Sequence, residues 1–567
     1  MLACRAYRVT VSRDTFYRNG FAADLDSTEA AGCMTSGVTM DGKNGDVIES
    51  VEANFGRFSA EVYQQINEWK DTLRRGPDDF EAIEADVHRA FARGADMIVV
   101  ALLSVLLQEQ KFQDTFQNLR HDFADPLAAP KQTTFRVQML GGMLVWVTSW
   151  YCPPKKCPAS HDSKSRQGLH CCMSLFGFGK GVSPGLQSKV ARKAVLMPSL
   201  QLATDELKRE GIDLNIKTVR RISVQCGMGL LSLRKHRVET FLDGKMPAGD
   251  TLKGKHVCVQ VDGGRIKIRG KTGVRQKNTP SVNEDGLHTE DAPGRSIRRP
   301  GRTFASEWRE PKMFTIFVVD PDTGKMSKEI KPTIDGTLMG PDEVAEMIAM
   351  ELHRLGAASA ERVSFVADGA PWIWDRIDRI VRLAKLESVK RDEVLDCCHA
   401  VHHVSQALAS LGMTAEERLP VYRAYRTQIR NGHWRQVVEE LAVQQHPADD
   451  KKHNKELETE LNYLRKHGEA GRLSYPSFRR SNVPCGSGSI ESTIRRVLNL
   501  RLKSNGMAWK QENAEAMIQL RAQAISDRWD DSITDLLLYK QKHPVDGYQW
   551  TFKTKTSKPE AEEQTAV

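Results

Sequence analysis

The chain has 567 residues, of which 40% are hydrophobic and 27% are charged, and its formal net charge is +9. This length predicts two to four domains, and the composition is that of a globular protein rather than of a disordered one. The modest excess of positive charge favours an anionic partner, and nucleic acid is the commonest such partner.

Three features predict a cytoplasmic protein that is not bound to a membrane. The start of the chain lacks the apolar segment of a secretory signal peptide. The longest apolar run, residues 97–107, falls short of the roughly 20 residues of a membrane helix, so we expect a buried helix there. The 11 cysteines are an odd number scattered along the chain, which argues against a secreted disulfide framework.

The first 180 residues divide into two predicted regions. Residues 1–50 are polar and weakly patterned, and apolar residues then recur at helical spacing up to about residue 125, so region 1–140 is expected to be mostly helical. Region 141–180 is rich in Cys and His, which are ligands of tetrahedral Zn²⁺. The candidate zinc ligands are Cys152, Cys157, His161, His170, Cys171 and Cys172. The alternative is that these cysteines are ordinary reduced side chains.

Region 181–250 has the pattern of a helix-turn-helix. Three or four short helices are predicted between residues 184 and 235, separated by Pro198 and Gly211. A short helix, a turn that contains Gly and a second helix rich in Thr, Arg and Lys are the outline of this DNA-binding motif. The start of the second helix is expected to contact duplex DNA through Lys217, Thr218, Arg220 and Arg221.

From residue 251 the pattern becomes that of a mixed α/β domain. Buried strands are predicted in HVCVQVDGG, KMFTIFVVD, RVSFVADG and DEVLDCCH, an alternating strand in RIKIRG, and helices at residues 341–355 and in IWDRIDRIVRLAKL. This domain is expected to cover 251–410 and to resume at 481–540 with a long basic helix from about 489 to 527. The stretch between, 411–480, is predicted to be all-helical, and 541–567 to be a disordered tail.

Two acidic side chains stand at the ends of predicted strands. Asp262 ends the first strand of the domain and Asp368 ends the fourth, and each is followed by Gly. If those two strands are neighbours, about 4.8 Å apart, the two carboxylates converge. Carboxylate oxygens are the ligands that Mg²⁺ prefers, and a pair of such ions can assist phosphoryl transfer. The alternative for each aspartate is a strand that runs into an ordinary Asx turn.

Four segments carry a resemblance to a known family. They are VQVDGGRIKIRG, VSFVADGAPWIWDRI, LDCCHAVHHVSQAL and PCGSGSIESTIRRVLNLRLKSNGMAWKQENAEAMIQLRAQ. Together they resemble the bacterial insertion-sequence transposases of the ISKra and ISLre type, which are relatives of the Mutator-like transposases. The resemblance extends over roughly residues 140–530, and the last segment is the most specific.

The resemblance implies a ribonuclease-H-like catalytic domain interrupted by an all-helical insertion. It also implies a DDE active site that binds two Mg²⁺ or Mn²⁺ ions through Asp262, Asp368 and Glu491. The expected activity is metal-dependent cleavage at the ends of a mobile element and strand transfer into target DNA. The expected partners are double-stranded DNA, at terminal inverted repeats and at the target, and further copies of the chain in a homodimer or higher oligomer. The expected location is the bacterial cytoplasm, at the nucleoid.

Two of the implied site residues have simpler explanations. Glu491 falls in the first turn of a predicted helix, where an acid meets the helix dipole and Ser487 or Ser489 could serve as N-cap. His399 belongs to an acid-x-x-His pattern similar to that of the Mutator-like relatives, which would place it near the scissile phosphate. The alternative for this pattern is that Asp396 caps the following helix and His399 merely begins it.

The resemblance also implies a Cys-rich ribbon in region 141–180; the family usually has two residues between the first pair of cysteines, whereas four residues separate Cys152 from Cys157. Basic side chains that follow Glu491 are predicted to contact DNA; they are Arg495, Arg496, Arg501 and Lys503. The alternative is a solvated charged face.

Two rival functions use much of the same sequence. One is a DNA-binding protein derived from a transposase, which would be expected to have lost at least one of the three acids; all three are present. The other is a nuclease of the same fold that only hydrolyses, since water and a DNA 3′-hydroxyl can be activated by the same metal ions.

Overall fold

The chain forms two compact units in a computed structural model. The first unit comprises Met1–Leu233 and Asp530–Tyr548, and the second comprises Arg234–Trp529 and Gln549–Val567. The residues that the structure describes are 9–11, 46–74, 80–121, 123, 126–155, 168–179, 181–270, 306–444, 451–504 and 506–543.

Three helices lie between residues 46 and 121 of the first unit, where helical spacing predicted helices. They are α1 (Asp46–Leu73), α2 (Phe80–Leu106) and α3 (Gln110–His121). The middle helix is anchored by Asp96, a buried carboxylate that accepts backbone N–H groups of Gly141 (2.9 Å) and Met143 (3.1 Å). Asp96 therefore ties α2 to the hairpin turn that follows in the sequence.

No single helix within the described ranges has the length and apolar content needed to cross a membrane. The pair formed by α2 and α3, bent by 73° at their junction, meets the same test of length and composition.

A small antiparallel sheet combines one strand before these helices with three after them, and it was not expected from the sequence. It contains β1 (Val9–Val11), β2 (Lys131–Gln138), β3 (Leu144–Cys152) and β4 (Leu169–His170), with β3 paired to the other three. Valines buried at alternate positions of β3 give the strand its inner face. The turn between β2 and β3 contains Gly142 at φ +90°, a conformation that favours glycine.

The predicted helix-turn-helix segment is helical, with one difference in length. It contains α5 (Pro184–Leu196), α6 (Leu200–Arg209) and α7 (Ile216–Leu242), after the short α4 (Cys171–Phe176). Ser183 and Ser199 cap α5 and α6 by accepting backbone N–H groups, and Gly211, at φ +82°, lies in the turn before α7. The last helix has 27 residues, so it is one long helix rather than the predicted short one.

The second unit is built on a five-stranded mixed sheet. Its strands are β5 (His256–Gly263), β8 (Lys312–Val318), β9 (Thr333–Thr337), β10 (Arg362–Ala367) and β11 (Lys390–Leu395). Their order is β11-β10-β5-β8-β9, with β10 parallel to both β5 and β11, and β8 antiparallel to both β5 and β9. The first and fourth predicted strands, β5 and β10, are therefore neighbours.

Two strands differ from the prediction. The RIKIRG segment forms β6 (Ile266–Arg269), which pairs with β7 (Ser306–Arg309) in a separate two-stranded ribbon instead of entering the main sheet. The edge of the main sheet beside β8 is formed by β9, a strand that was not predicted. The sequence of β9, TIDGT, is short and contains Asp and Gly, residue types that are depleted in strands.

Helices cover the sheet and continue into the helical segment. They are α8 (Pro341–Arg354), a 3₁₀ turn (Ala357–Ser359), α9 (Pro371–Trp374), α10 (Ile377–Leu383), α11 (Cys397–Ser410), α12 (Ala415–Arg430), α13 (Trp434–Val443), α14 (Lys451–Glu469) and α15 (Tyr475–Arg480). The sheet and these helices share one apolar core. At their junction the hydroxyl of the buried Tyr475 donates to the carbonyl oxygen of Leu395, at the end of β11 (3.0 Å).

The prediction of one long basic helix from 489 to 527 is wrong. The chain instead forms α16 (Gly488–Ile494), a π-helical turn (Arg495–Asn499), α17 (Leu500–Leu502), a loop, and α18 (Gln511–Ile525), before α19 (Trp529–Lys542). In the loop, Trp509 pairs with β6, donating to Lys267 O (2.9 Å) and accepting from Arg269 N (2.8 Å). Strand-like pairing at this point is incompatible with a continuous helix.

A buried ion network lies within the second unit. Arg234 donates to the carboxylates of Asp335 (3.0 Å) and Glu515 (2.6 Å), and also to Gln519 Oε1 (2.9 Å). All four side chains are buried. The network joins the end of α7 to β9 and α18, and removal of the one cation would leave two carboxylates buried together.

Candidate active site

The two strand-end aspartates lie side by side. In the parallel pair of β5 and β10, Val261 is opposite Ala367, so the next residues along the strands are Asp262 and Asp368. Both side chains are half-buried. The convergence expected from neighbouring strands is thus present in the backbone register.

The third acid comes from another element. Glu491 lies in the first turn of α16, and this short helix packs against β5 and β8. The Glu491 side chain is exposed. Three acids from two strand ends and one helix therefore collect at the same end of the sheet.

The charges of these acids act on one another. Burial, together with the nearby charge of Asp368 and a smaller contribution from Glu491, raises the pKa of Asp262 to about 6. The backbone N–H of Gly263 and the ring of His399 act in the opposite direction. A proton or a cation at Asp262 would relieve this repulsion.

Asp368 is held by the turn that follows its strand. Its Oδ1 accepts the backbone N–H of Ala370 (3.0 Å), and its carbonyl oxygen accepts Nε1–H of the buried Trp374 (2.6 Å). The Asx turn that was the alternative for Asp368 is present. This turn uses one carboxylate oxygen of Asp368 and leaves the other for a ligand. Trp372 is half-buried, with Lys312 Nζ 5.1 Å from the centre of its ring.

Gln260 fixes the beginning of α16 and was missed by the sequence analysis. This side chain is 1% exposed and lies on β5, two residues before Asp262. Its Nε2 donates to Gly486 O (3.0 Å) and its Oε1 accepts the backbone N–H of Ile490 (3.0 Å). A lone amide inside an apolar strand was the available signal, because a buried amide needs partners.

Ser487 connects Glu491 to a second acid. The Ser487 hydroxyl donates to Glu491 Oε1 (3.1 Å), and its backbone N–H donates to Asp396 Oδ2. Ser487 occupies the N-cap position of α16, but its side chain makes no capping hydrogen bond. The N-cap explanation of this Gly-Ser turn is therefore not supported by the geometry.

Asp396 both caps a helix and orients His399. Its Oδ1 accepts the backbone N–H of His399 (2.9 Å) and lies 3.2 Å from His399 Nδ1. Burial alone would raise the pKa of Asp396, but hydrogen bonds from His399 and Ser487 outweigh it and hold the pKa at about 2. The hydrogen bond to Asp396 also raises the pKa of His399, with further contributions from Asp368 and Asp262.

Tyr463, another residue that the sequence analysis missed, brings the helical segment to the site. Its ring on α14 lies against Gly369, where an added Cβ would come within 2.1 Å of the ring and of the hydroxyl oxygen. The hydroxyl is buried, and no group in the described ranges accepts its hydrogen. The ring of His403 stacks on the Tyr463 ring, with 3.5 Å between the ring centres.

The basic residues predicted to contact DNA divide into exposed and buried ones. In the first unit, Lys217 and Arg220 are exposed at the start of α7, and Thr218 and Arg221 are half-buried. In the second unit, the exposed residues are Arg495, Arg496 and Lys503. The prediction that Arg501 contacts DNA is wrong, because this residue is only 3% exposed and its guanidinium lies 5.5 Å from the centre of the Trp509 ring.

The structure describes four of the six candidate zinc ligands. Cys152, Cys171 and Cys172 are buried, and both ring nitrogens of His170 are buried without a hydrogen-bond partner among the described residues. Cys157 and His161 lie outside the described residues. Within the described ranges, no three His, Cys, Asp or Glu side chains are grouped closely enough to hold a metal ion, either here or at the acids above.

Comparison of the chain with protein-family models, with curated proteins and with solved structures gave no match.

Proposed function

We propose that this chain is a DNA transposase whose catalytic acids are Asp262, Asp368 and Glu491. The observation that carries the proposal is the register of β5 and β10, which sets Asp262 beside Asp368. Glu491 reaches the same region from a helix that Gln260 holds against β5. Metal-dependent phosphoryl transfer on DNA is the chemistry that such a set of acids suits best.

The sheet supports a ribonuclease-H-like fold for the second unit. Three successive antiparallel strands, β5, β8 and β9, are followed by two parallel strands that helices connect. The helical segment enters between β11 and α16, as expected for an insertion between the second and third acids. The mixed sheet is therefore compatible with the proposed fold.

The donor set fits Mg²⁺ or Mn²⁺. The three side chains offer carboxylate oxygens, and the mutual repulsion that raises the pKa of Asp262 is relieved by a cation. Asp262, Asp368 and Glu491 would hold the ions, two in the proposed site. When bound, such ions activate the attacking oxygen and stabilise the leaving oxygen of an in-line displacement.

The chain's own residues prepare the site in three ways. Gln260 and Ser487 orient Glu491, and the turn at Ala370 fixes Asp368. Asp396 holds Nδ1 of His399, which leaves Nε2 to donate to a phosphate oxygen of the DNA. The raised pKa of His399 favours the protonated ring that such donation requires.

Duplex binding is proposed for the first unit, through the start of α7. The exposed Lys217 and Arg220 stand in its first turns, and Asn215 Oδ1 accepts the backbone N–H of Thr218 (2.9 Å). A structural zinc ion held by Cys152, Cys157 and two of His161, His170, Cys171 and Cys172 remains a separate proposal. It is supported by the two ring nitrogens of His170, which are buried and have no hydrogen-bond partner among the described residues.

The test uses a plasmid that carries the gene with its natural flanking DNA. The purified chain should cut this plasmid with Mg²⁺ or Mn²⁺ at the element's ends and join those ends to a second plasmid. Asp262→Asn, Asp368→Asn and Glu491→Gln should each abolish cutting but keep DNA binding, because affinity comes from phosphate contacts elsewhere. Glu512→Gln, which changes an acid in the first turn of α18, is the matched control and should cut normally.

Each alternative has its own outcome in this test. Cutting without joining supports the hydrolytic nuclease, and binding without cutting by the unchanged chain supports the DNA-binding protein. Normal cutting by any one of the three acid variants would remove that residue from the active site.

A further inference from the structure

The ribbon of β6 and β7 exposes a tryptophan close to the proposed active site. Trp308 is 53% exposed, and the other three residues of β7 are exposed too. The register places Trp308 opposite Lys267, five residues after Asp262. At about 3.3 Å per residue, this pair lies within roughly 17 Å of the Asp262 backbone.

The ribbon is firmly attached to the rest of the second unit. Ile266 and Ile268 are buried on its inner side, and Trp509 pairs with the free edge of β6. At its base, the backbone N–H of Gly264 donates to Pro311 O (2.9 Å). The exposed side of the ribbon is therefore presented on a fixed support.

Cations share the exposed face with Trp308. Arg265, Lys267 and Arg269 alternate with the two buried isoleucines, so their side chains leave on the opposite side of the strand. Lys267 Nζ lies 5.0 Å from the centre of the Trp308 ring. An aromatic ring among cations spaced along a strand matches a ligand in which flat bases alternate with phosphates.

We infer that this face binds an unpaired stretch of a DNA strand, with one base stacked on Trp308 and phosphates beside Lys267 and Arg265. The inference rests on the proposed function for the identity of the strand, which would be DNA next to the cleavage point. A duplex would not suit this face equally well, because paired bases are stacked on each other and do not offer a ring face. The positive charge of the face also makes it a poor fit for an apolar protein partner that has few acidic residues.

The test compares two fluorescent DNA duplexes, one blunt and one with a single-stranded extension, by anisotropy in EDTA. Trp308→Ala should weaken binding of the extended duplex by about 5- to 100-fold, the range typical of losing one stacked base. Binding of the blunt duplex should change less than twofold. Trp308→Phe should restore most of the lost affinity, because a smaller ring still stacks.

Trp146→Ala is the matched control, since Trp146 is another exposed tryptophan, on β3 of the first unit. It should bind both duplexes like the unchanged chain. Thermal unfolding of Trp308→Ala should also be unchanged, because more than half of this side chain is exposed. Equal losses on both duplexes, or no loss on the extended one, would overturn the inference.

This experiment separates the inference from the proposed function. Binding in EDTA needs neither metal nor cleavage. A chain that binds extended DNA through Trp308 but never cuts DNA would refute the proposed function and would support the inference that this face binds an unpaired strand. A chain that cuts DNA with its three acids but binds the extended and blunt duplexes equally well would support the proposed function and refute the inference about this face.

Discussion

Replacement of Gln260 by leucine is the sharpest test of how the third acid is positioned. Leucine has nearly the same size but neither donates nor accepts, so it removes both hydrogen bonds to the start of α16. The carbonyl of Gly486 then loses its side-chain partner, while the N–H of Ile490 keeps its bond to Ser487 O (3.0 Å). An unsatisfied buried polar group costs about 1–3 kcal/mol, so we expect Gln260→Leu to lower the free energy of unfolding by about 1–3 kcal/mol.

The same substitution should affect catalysis beyond its effect on stability. If the beginning of α16 moves away from β5, Glu491 is no longer held near Asp262 and Asp368. Residues that orient a metal ligand typically contribute about 10- to 100-fold to metal affinity or activity. The Mn²⁺ concentration that gives half-maximal DNA cutting should therefore rise by about that factor, and excess Mn²⁺ should restore part of the rate.

Ile316→Val is the matched control, because Ile316 is buried in the same sheet, on β8 opposite Val259. It removes a small apolar group and should cost about 1 kcal/mol with no change in the Mn²⁺ requirement. Urea unfolding and an Mn²⁺ titration of plasmid cutting measure both quantities. A Gln260→Leu variant that is destabilised but keeps the normal Mn²⁺ requirement would refute a positioning role for Gln260.

Three further predictions concern a buried cation, a titrating acid and a buried hydroxyl. Arg234→Met should destabilise the protein by about 3–5 kcal/mol, and the loss should grow from pH 5 to pH 8, because the two carboxylates left behind can be protonated only at low pH; a constant loss would argue against a charge effect. The pKa of Asp262, raised by burial to about 6, means that the metal-free folded state keeps a proton that the unfolded chain releases nearer pH 4. Its contribution to stability therefore falls as pH rises through this window, while Mn²⁺ affinity by calorimetry should rise through pH 6; Asp262→Asn should remove that rise, and an affinity independent of pH in the unchanged chain would contradict it. Tyr463→Phe should leave unfolding nearly unchanged, since no described group accepts the hydroxyl hydrogen, but should lower kcat for plasmid cutting if that hydrogen serves the DNA; an unchanged kcat would make Tyr463 a packing residue.

The main sheet was predictable where strands are long and apolar. β5 and β10 are such strands, and their ends could be recognised because Asp and Gly interrupt an apolar run. β9 was not predicted, because a five-residue strand that contains Asp and Gly has almost no local sequence pattern typical of a strand. Pairing of RIKIRG with β7 rather than with the sheet depends on contacts far apart in sequence, which periodicity does not report.

The surroundings of the site were less predictable than its acids. Helical spacing suggested one continuous basic helix after Glu491, but pairing of Trp509 with β6 breaks it. The π-helical turn also changes which side chains face inward, so Arg501 is buried although Arg495 and Arg496 are exposed. Gln260 could have been suspected from its place in an apolar strand, whereas its partners at Gly486 and Ile490 required the fold.

Iron-mediated cleavage of the polypeptide tests most directly whether the three acids form one metal site. Fe²⁺ that replaces Mg²⁺ generates hydroxyl radicals with ascorbate and peroxide, and these cut the backbone near the bound ion. We predict cuts adjacent to Asp262, Asp368 and Glu491, suppressed by excess Mg²⁺ and absent in Asp262→Asn. Cuts elsewhere in the chain, or cuts at these positions that Asp262→Asn does not affect, would contradict the proposed site.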